Sequence, residues 1–485
     1  MLIRDTALYA VAKLLPGIFG LATTAVLTRF LNPLEYGHYG LALVVMMLGS
    51  TVLFDWLGMS FLRFYQARRE DPDVLVTFVT LFVAIAILSA AALALALIFG
   101  LIPANRIGVS IVGMIMVWTY SWFELVSRLA VAEFQPFRYL TMNLGRSSLI
   151  LVGTTAAAWL TANPLWAAMG NAAGMFGGAF LGRIPIPLPS LRRFDRKLAR
   201  DVIFFGAPVA ASMTLYSLID NGTRVLLDKL DSAAALGIYT AASILMQTTL
   251  GVMAAGVYSA GYSLAVQAVE SGDQAAARRQ LLANSTLLLA ILAPASLGMA
   301  LAGRSIATTL VGAKFIAGVI PLMPWMAASS FFGCFRAFHL DHAFQLGKKP
   351  HLQIWIMGLA VIIAIGLSYV LIPRVGPVGA AIGVTVAMAV SCVHAVIAGR
   401  RAYPLPFPIE PAARIGLCCA VMAMVVAQLP DSGWAGLISR GLVGSVTYAA
   451  AAVALNVLDS RERAFSYARR AAQWLAQRRQ GAAAE

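Results

Sequence analysis

Charged side chains are scarce in this chain of 485 residues, where Asp, Glu, Lys and Arg together make up only 12%. Soluble globular proteins carry about 25%. This shortage excludes a cytosolic enzyme, and the 60% share of hydrophobic residues excludes a disordered chain. Because a spanning helix needs roughly 20 apolar residues, the composition predicts an all-α polytopic membrane protein with about 14 transmembrane helices.

Cysteine is rare, and a nucleotide-binding motif is missing. The four cysteines lie in apolar runs without CxxC spacing: Cys334, Cys392, Cys418 and Cys419. The stretch Leu346–Pro350 has neither the spacing nor the hydroxyl of a phosphate-binding loop. The group His339, Asp341 and His342, beside Arg336, fits no standard helical pair of metal ligands. The sequence therefore predicts no ATP hydrolysis, no metal site and no cofactor.

Fourteen apolar runs are long enough to cross a membrane. They are Tyr9–Leu31, Gly37–Leu57, Leu75–Phe99, Ile107–Phe123, Leu140–Leu160, Leu165–Leu181, Val202–Leu226, Ala233–Val266, Leu281–Leu301, Ala317–Phe335, Leu352–Ile372, Val378–Ala398, Ala412–Leu429 and Trp434–Val457. Gly145 and Arg146 interrupt the fifth run, and the segment from Asp220 to Arg224 interrupts the seventh.

The basic residues orient the predicted spans. The chain has 36 Lys and Arg against 21 Asp and Glu, a net charge of +15. With a cytoplasmic N-terminus, most of the basic residues, Arg146 among them, fall in inner loops or at inner helix ends, as the positive-inside rule requires. We therefore expect both termini in the cytoplasm. No basic aqueous domain is present to bind a nucleic acid.

An internal echo and a linker divide the chain. The segment Thr24–Leu31 resembles Thr223–Leu230, and Gly37-His-Tyr39 recurs as Gly237-Ile-Tyr239. Such spacing predicts two six-helix lobes, related as parallel repeats by an axis along the membrane normal, with two further C-terminal helices. The expected parts are an N-lobe (1–182), a basic hinge-like linker (183–200), a C-lobe (201–400), the last two helices (401–458) and a cytoplasmic amphipathic tail (459–485).

A stripe of small residues marks the sixth span. Gly170, Gly174, Gly178 and Gly182 recur every four residues and so share one helix face. Small residues allow helix backbones in membranes to approach closely. We expect this stripe to serve packing.

Eight ionisable residues lie within spans or at their ends: Lys13, Arg29, Asp55, Arg63, Glu124, Arg128, Asp220 and Arg224. A charge at the bilayer centre costs at least ~2.5 to 3.5 kcal/mol unless it faces protein or water. In one interpretation, the end residues reach the headgroups and the i, i+4 pairs neutralise each other. In the other, a cationic, water-filled cavity between the lobes accepts an anionic headgroup, as arginine suits phosphate. Lys13 and the Asp220/Arg224 pair favour the cavity.

Several motifs carry a family resemblance. The stretch Arg29–Tyr39, followed by Asp55-Trp-Leu-Gly58 and Arg63, resembles the opening of Wzx-type flippases, which transport lipid-linked polysaccharide repeat units. Segments of the second half resemble the same family: Gly237–Ala242, Gly312–Phe315 and Leu371–Ile382. The family belongs to the multidrug/oligosaccharidyl-lipid/polysaccharide exporter superfamily, whose members alternately open a central cavity to either side.

The resemblance implies a substrate, a site and a location. The substrate would be an undecaprenyl-pyrophosphate oligosaccharide, moved from the cytoplasmic to the periplasmic leaflet of the bacterial inner membrane. Lys13 and Arg224 would be the foremost residues that bind its pyrophosphate. The further substrate-binding residues would be Arg29, Arg63, Arg128 and Asp220. Asp55, Glu124 and Asp220 would be the candidates for ion coupling. Membrane lipids, a polysaccharide polymerase and a chain-length regulator would be partners.

Three alternatives remain open at this stage. A drug/cation antiporter of the same superfamily would need an acidic cavity with less arginine. A flippase of lipid-linked peptidoglycan precursors is a second relative. A membrane polysaccharide polymerase or ligase would be an enzyme with a large outer loop, whereas loops such as Thr161–Pro164 and Pro430–Gly433 are short. We therefore expect a transporter and not an enzyme.

Overall fold

The computed structural model describes residues 2–349, 351–459 and 461–462, and side chains for 15–257, 261–262, 264–349, 351–458 and 461–462. Strands are absent from these residues, which form helices joined by mostly short turns. Most of the predicted amphipathic tail, from residue 463 onwards, lies outside the described residues.

Fourteen long helices coincide with the fourteen predicted spans. They are α1 (Leu2–Phe30), α2 (Pro33–Ala67), α3 (Pro72–Ile98), α4 (Ile107–Ala132), α5 (Pro136–Thr161), α6 (Pro164–Leu181), α7 (Arg196–Leu230), α8 (Ala233–Glu270), α9 (Gln274–Leu301), α10 (Ala313–Leu346), α11 (His351–Val375), α12 (Pro377–Gly399), α13 (Ile409–Val426) and α14 (Gly433–Ala454). Three of these helices continue through a π-helical turn.

Eleven of these helices are long and apolar enough to cross a membrane by length and composition. The exceptions are α1, whose described apolar stretch Leu15–Phe30 is shorter, and the more polar α5 and α6. The polytopic all-α fold is confirmed. The count of about 14 spans stays a prediction, because α5 carries Arg138 and Arg146 and α6 is rich in glycine.

Side-chain caps define the helix starts. Asn32 begins α2 with a capping box: its side chain accepts from the Glu35 N–H, and Glu35 Oε2 accepts from the Asn32 N–H at 2.8 Å. Asp195 begins α7 by accepting from the N–H groups of Leu198 and Lys197. These bonds, that from Leu198 foremost, hold the pKa of Asp195 below its usual range.

Three helices contain a π-helical turn, and each such turn includes a charged residue. The turns are Thr51–Asp55 in α2, Leu218–Gly222 in α7 and Arg336–Leu340 in α10. They contain Asp55, Asp220 and Arg336, respectively. Single π turns inside α-helices are frequent at functional sites. Asp55, Asp220 and Arg336 therefore lie where their helices widen.

The helices form two groups. Helices α1 to α6 pack on one another, as do α7 to α12, and α2 packs against α8 between the groups. Helix α13 packs on α9, and α14 packs on α13 and on the short helix Gly303–Leu310. This arrangement of two six-helix groups, which we call the lobes, with two further helices agrees with the predicted architecture, and the bounds of the predicted domains stay a prediction. We call the end of the bundle that contains Asn32, between α1 and α2, the Asn32 end. The opposite end, which contains the linker before α7, is the linker end.

The lobes meet closely at the Asn32 end. Gly37 of α2 leaves no room for a Cβ atom beside the Ala233 carbonyl oxygen, and Gly237 of α8 leaves none beside the Pro33 carbonyl oxygen. Each contact becomes the other when residues 200 positions apart are exchanged. The two contacts therefore agree with the parallel repeat inferred from the echoed segments.

Further contacts between the lobes surround this glycine seam. The Gly312 N–H donates to Thr28 Oγ1 at 3.0 Å. Arg106, which precedes α4, forms an ion pair with Asp228 of α7 at 2.8 Å. The Asn32 end is therefore closed by backbone approach and by bonds between the lobes.

At the linker end, the first half of α7 packs on α2. The Trp56 ring lies against Gly206, and Ser60 Oγ donates to the Val202 carbonyl at 3.5 Å. The linker itself is held by α3, because Thr80 Oγ1 accepts from the Ser190 N–H at 3.0 Å and Arg193 pairs with Asp73 at 2.7 Å. Its role as a hinge stays a prediction.

Candidate functional site

A cavity of about 370 Å³ lies among the helices of the first lobe, with Ile244 of α8 on one side. Its wall combines rings, polar groups and apolar side chains. The aromatic and polar lining residues are Phe19, Thr23, Thr24, Tyr36, Tyr39, Tyr120, Glu124, Arg146, Ser147 and Asn171. Binding sites commonly combine an apolar wall with a few polar groups that fix orientation.

Arg146 of α5 supplies a positive charge to this wall. Its Nη1 lies 3.6 Å from Glu124 Oε1, and its guanidinium carbon lies 4.3 Å from the centre of the Phe123 ring. The side chain is 17% exposed. The sequence places Arg146 in the interruption of the fifth run and among the inner-end charges, and not among the predicted substrate-binding residues. The signal that identifies it is an arginine in the interior of a helix that begins at Pro136.

Arg128 and Asp55 adjoin the cavity through Glu124. Arg128 Nη1 donates to the Asp55 carbonyl at 3.2 Å, and its Nε lies 3.9 Å from Glu124 Oε2, so the predicted i, i+4 pair forms. The Asp55 carboxylate accepts from Thr51 Oγ1 at 3.1 Å. A void of about 10 Å³ beside this group has the volume that one water occupies. Glu124 thus joins two arginines.

The wall around Tyr39 is a network of hydroxyl and amide groups. Asn171 Nδ2 donates to the Tyr39 hydroxyl at 2.9 Å, and the Tyr36 hydroxyl donates to Thr24 Oγ1 at 3.4 Å. Asn171 Oδ1 is buried without a donor among the described residues. Such groups can exchange hydrogen bonds with the hydroxyls of a ligand.

A second charged group lies in the other lobe. Arg224 Nη2 donates to Asp220 Oδ2 and to Ser243 Oγ, both at 2.8 Å. Gln247, which is exposed, donates to the same Asp220 oxygen at 3.2 Å. The Arg224 side chain is only 8% exposed, and its Nε has no acceptor within the described part of the chain. The predicted pair therefore forms inside the protein and not towards lipid.

The other predicted site residues lie elsewhere. Arg29 is at the Asn32 end, where it donates to the Ala25 and Thr309 carbonyls. Arg63 is exposed at the linker end, with its guanidinium carbon 4.4 Å from the centre of the Phe205 ring. Lys13 is in α1, and its side chain lies outside the described residues. Substrate binding by these three residues stays a prediction.

The glycine stripe positions Arg146. Gly170 meets the Gly153 carbonyl, Gly174 meets the Ile150 backbone, and Gly178 meets the Cα and Cβ atoms of Arg146 itself. The interpretation of the stripe as a packing surface is therefore confirmed. Close contact with α5 also sets where the guanidinium of Arg146 lies.

Replacing Gly178 by alanine should destabilise the protein. The new Cβ would lie 2.6 Å from Arg146 Cβ and 2.8 Å from its Cα, so α5 and α6 must separate. Overpacking of this kind costs about 1–3 kcal/mol. Thermal unfolding in detergent would show a lower midpoint for Gly178→Ala than for Gly177→Ala, whose Cβ meets only the tip of Leu149. Equal midpoints would contradict the close contact.

Comparison with known proteins adds a family and a fold. The family model described as polysaccharide biosynthesis protein matches residues 2–266. No curated protein matches the sequence. The structure is similar to a lipid II flippase MurJ in an inward closed conformation, with 14% identity and a TM-score of 0.75 over 93% of this chain and 99% of that chain.

Two MATE transporters are also similar. An inward-facing MATE transporter of the MOP superfamily has 14% identity and a TM-score of 0.62, over 81% of this chain and 97% of that one. The eukaryotic MATE transporter AtDTX14 has 13% identity and a TM-score of 0.52, over 86% of this chain and 99% of that one. At these identities the likeness concerns the fold alone.

Proposed function

The chain belongs to the polysaccharide biosynthesis protein family, and from this premise we propose that it is a flippase for undecaprenyl-pyrophosphate-linked oligosaccharide units. It would move them by alternating access, from the cytoplasmic to the periplasmic leaflet of a bacterial inner membrane. The observation that carries the proposal is Arg146, a partly exposed cation in a cavity wall that also contains three tyrosines and the Asn171 amide.

The cavity chemistry fits the two parts of such a headgroup. A guanidinium makes two parallel hydrogen bonds to phosphate oxygens and is not neutralised by deprotonation. Among the described side chains, Arg146 is the cation in the cavity wall, and Arg224 adds a guanidinium in the other lobe. The hydroxyls of Tyr36 and Tyr39 and the Asn171 amide suit the hydroxyls of a sugar.

Physical chemistry supports transport without ATP. A lipid flips slowly because its polar head must lose water in the hydrocarbon, and a polar cavity replaces that water. A membrane potential that is negative inside favours outward movement of a pyrophosphate by about 2.3 kcal/mol per charge per 100 mV. Asp55, Glu124 and Asp220 are the proposed groups for any coupled ion. A polymerase and a chain-length regulator are the proposed partners that use the product.

Each alternative function predicts a different result in a transport experiment. A drug/cation antiporter would bind cations at Glu124, yet this carboxylate already lies beside Arg128 and Arg146. Lipid II is a second candidate, because the structurally similar MurJ is a lipid II flippase. A polymerase or ligase would form glycosidic bonds, so the chemical composition of the lipid-linked oligosaccharide would change.

The test is transport in proteoliposomes that contain the full chain. We expect undecaprenyl-pyrophosphate oligosaccharide to become accessible to an added periodate reagent faster than in empty vesicles, with its chain length unchanged. Because one charged hydrogen-bonding partner is lost, Arg146→Ala should slow this by about tenfold, equivalent to about 1.4 kcal/mol. Arg304→Ala is the control, since Arg304 is 60% exposed and pairs only with Asp431.

Other outcomes would refute the proposal. Faster movement of lipid II alone would make peptidoglycan precursor the substrate. Proton-driven uptake of a lipophilic cation, without movement of the oligosaccharide, would make the protein an antiporter. A longer oligosaccharide product would make it an enzyme.

A further inference from the structure

Arg336 of α10 is the largest fully buried side chain among the described residues. It lies in a π-helical turn, and its Nη1 donates to both carboxylate oxygens of Asp341, at 3.2 and 3.4 Å. Gln353 of α11 donates to Asp341 at 2.7 Å. The acidic partner is therefore engaged from two sides, and it contacts the arginine through a single nitrogen.

The other two nitrogens of Arg336 have no acceptor. Neither Nε nor Nη2 has a hydrogen-bond partner within the part of the chain that the structure describes, and both atoms are buried. These two nitrogens share one edge of the planar guanidinium, so their N–H bonds can reach two oxygens of one ligand in parallel. Buried donors without acceptors destabilise a fold, so an oxyanion at this edge would satisfy two of them.

Tyr216 of α7 lies over the guanidinium. Its ring centre is 5.5 Å from the Arg336 guanidinium carbon, while 49% of Tyr216 is exposed. Tyr216 precedes Asp220 by one helical turn, so both lie on the same side of α7. Asp220 accepts from Gln247, which is exposed. The exposed side of Tyr216 therefore adjoins the polar surface of the Asp220 and Arg224 pair.

We propose that the Nε and Nη2 edge of Arg336 is an oxyanion subsite, which opens when the Tyr216 ring swings aside. Its ligand would be a phosphoryl or carboxylate group. The inference rests on the proposed function, because a pyrophosphate-linked sugar brings such groups to this surface. Arg146 would then serve the substrate from one lobe and Arg336 from the other.

Arginine modification of the full chain in lipid nanodiscs tests the proposal. Phenylglyoxal would be reacted with wild type and with Tyr216→Ala, and each arginine would be quantified by mass spectrometry. Because Tyr216 is half-exposed, its truncation leaves the Arg336 and Asp341 pair intact. We expect Tyr216→Ala to raise Arg336 modification about tenfold, the factor that corresponds to losing a modest covering contact. Arg414 of α13, which pairs with Glu410, is the internal reference.

Two probes identify the source of the anion. Protection of Arg336 by inorganic pyrophosphate would assign the subsite to the lipid headgroup. Protection by glucuronate and not by pyrophosphate would assign it to an acidic sugar. Arg336→Lys keeps the charge but loses the two-nitrogen edge, so in the Tyr216→Ala chain it should weaken binding of the protecting probe about tenfold. Arg304→Lys should leave it unchanged.

Two results would overturn the inference. If Tyr216→Ala leaves Arg336 unreactive, Tyr216 does not cover a subsite. If Arg336 reacts but neither probe protects it, the arginine is structural. Protection of Arg146 by pyrophosphate in the same samples would then leave the proposed function intact, while a lack of protection at both arginines would count against both.

Discussion

Arg224→Ala is expected to lower oligosaccharide transport at least about a hundredfold, because it removes a buried cation and leaves its partner charged. Arg224 donates to Asp220 and Ser243 and is almost fully enclosed. Without it, the Asp220 carboxylate would repel a pyrophosphate that approaches the same surface. Vesicle transport, and surface polysaccharide in cells that carry the variant, would both measure the loss.

Two companion variants separate charge from structure. Arg224→Lys keeps the positive charge but loses the planar fork, so we expect it to recover only part of the transport. Asp220→Asn combined with Arg224→Ala removes the uncompensated carboxylate, and we expect both this double variant and Arg224→Ala to insert into the membrane in the wild-type amount. Normal surface polysaccharide in an Arg224→Ala strain would remove this residue from the site.

Gly37→Ala is expected to open the Asn32 end of the bundle and to stop transport. A Cβ atom at residue 37 would overlap the Ala233 carbonyl, and because both are backbone-linked atoms no rotamer change relieves the overlap. Overpacking costs about 1–3 kcal/mol, so a closed state favoured by a similar margin would lose its majority. Gly237→Ala should act alike, through the Pro33 carbonyl.

Thiol labelling would reveal the opened seam. Thr24→Cys places a thiol in the cavity wall, in a chain whose four native cysteines are replaced by serine. We expect an impermeant maleimide added at the Asn32 end to label this thiol faster in Gly37→Ala. Gly251→Ala is the matched control on α8, because its Cβ would meet no atom within 4 Å. Unchanged labelling and transport in Gly37→Ala would show that the seam is not a gate.

Features of local origin could be predicted. Apolar runs located the fourteen helices, since each helix satisfies its own backbone hydrogen bonds. The pairs Glu124/Arg128 and Asp220/Arg224 follow from i, i+4 spacing alone. The glycines that recur every four residues predicted a packing face on α6, and in the structure this face contacts α5.

The site depended on contacts between distant segments. Asn171 reaches Tyr39, and Arg106 reaches Asp228, across more than a hundred residues of sequence. Whether Arg146 or Arg29 lines the cavity depends on how each helix is rotated about its axis. Arg29 lies at a helix end and contacts carbonyls, whereas Arg146 is directed inwards by the approach of Gly178.

The amino-acid sequence alone shows that most of this protein lies in lipid, where its helices are and that its two halves contain similar segments. Those properties depend on composition and on spacing within one helix. Three features emerge from the folded chain and not from its sequence: Arg146 lines the cavity, Gly37 and Gly237 bring the two halves into contact, and Arg336 lies beside the Tyr216 ring. The physical reason is that helix rotation and register are set by packing between helices, which local spacing does not encode.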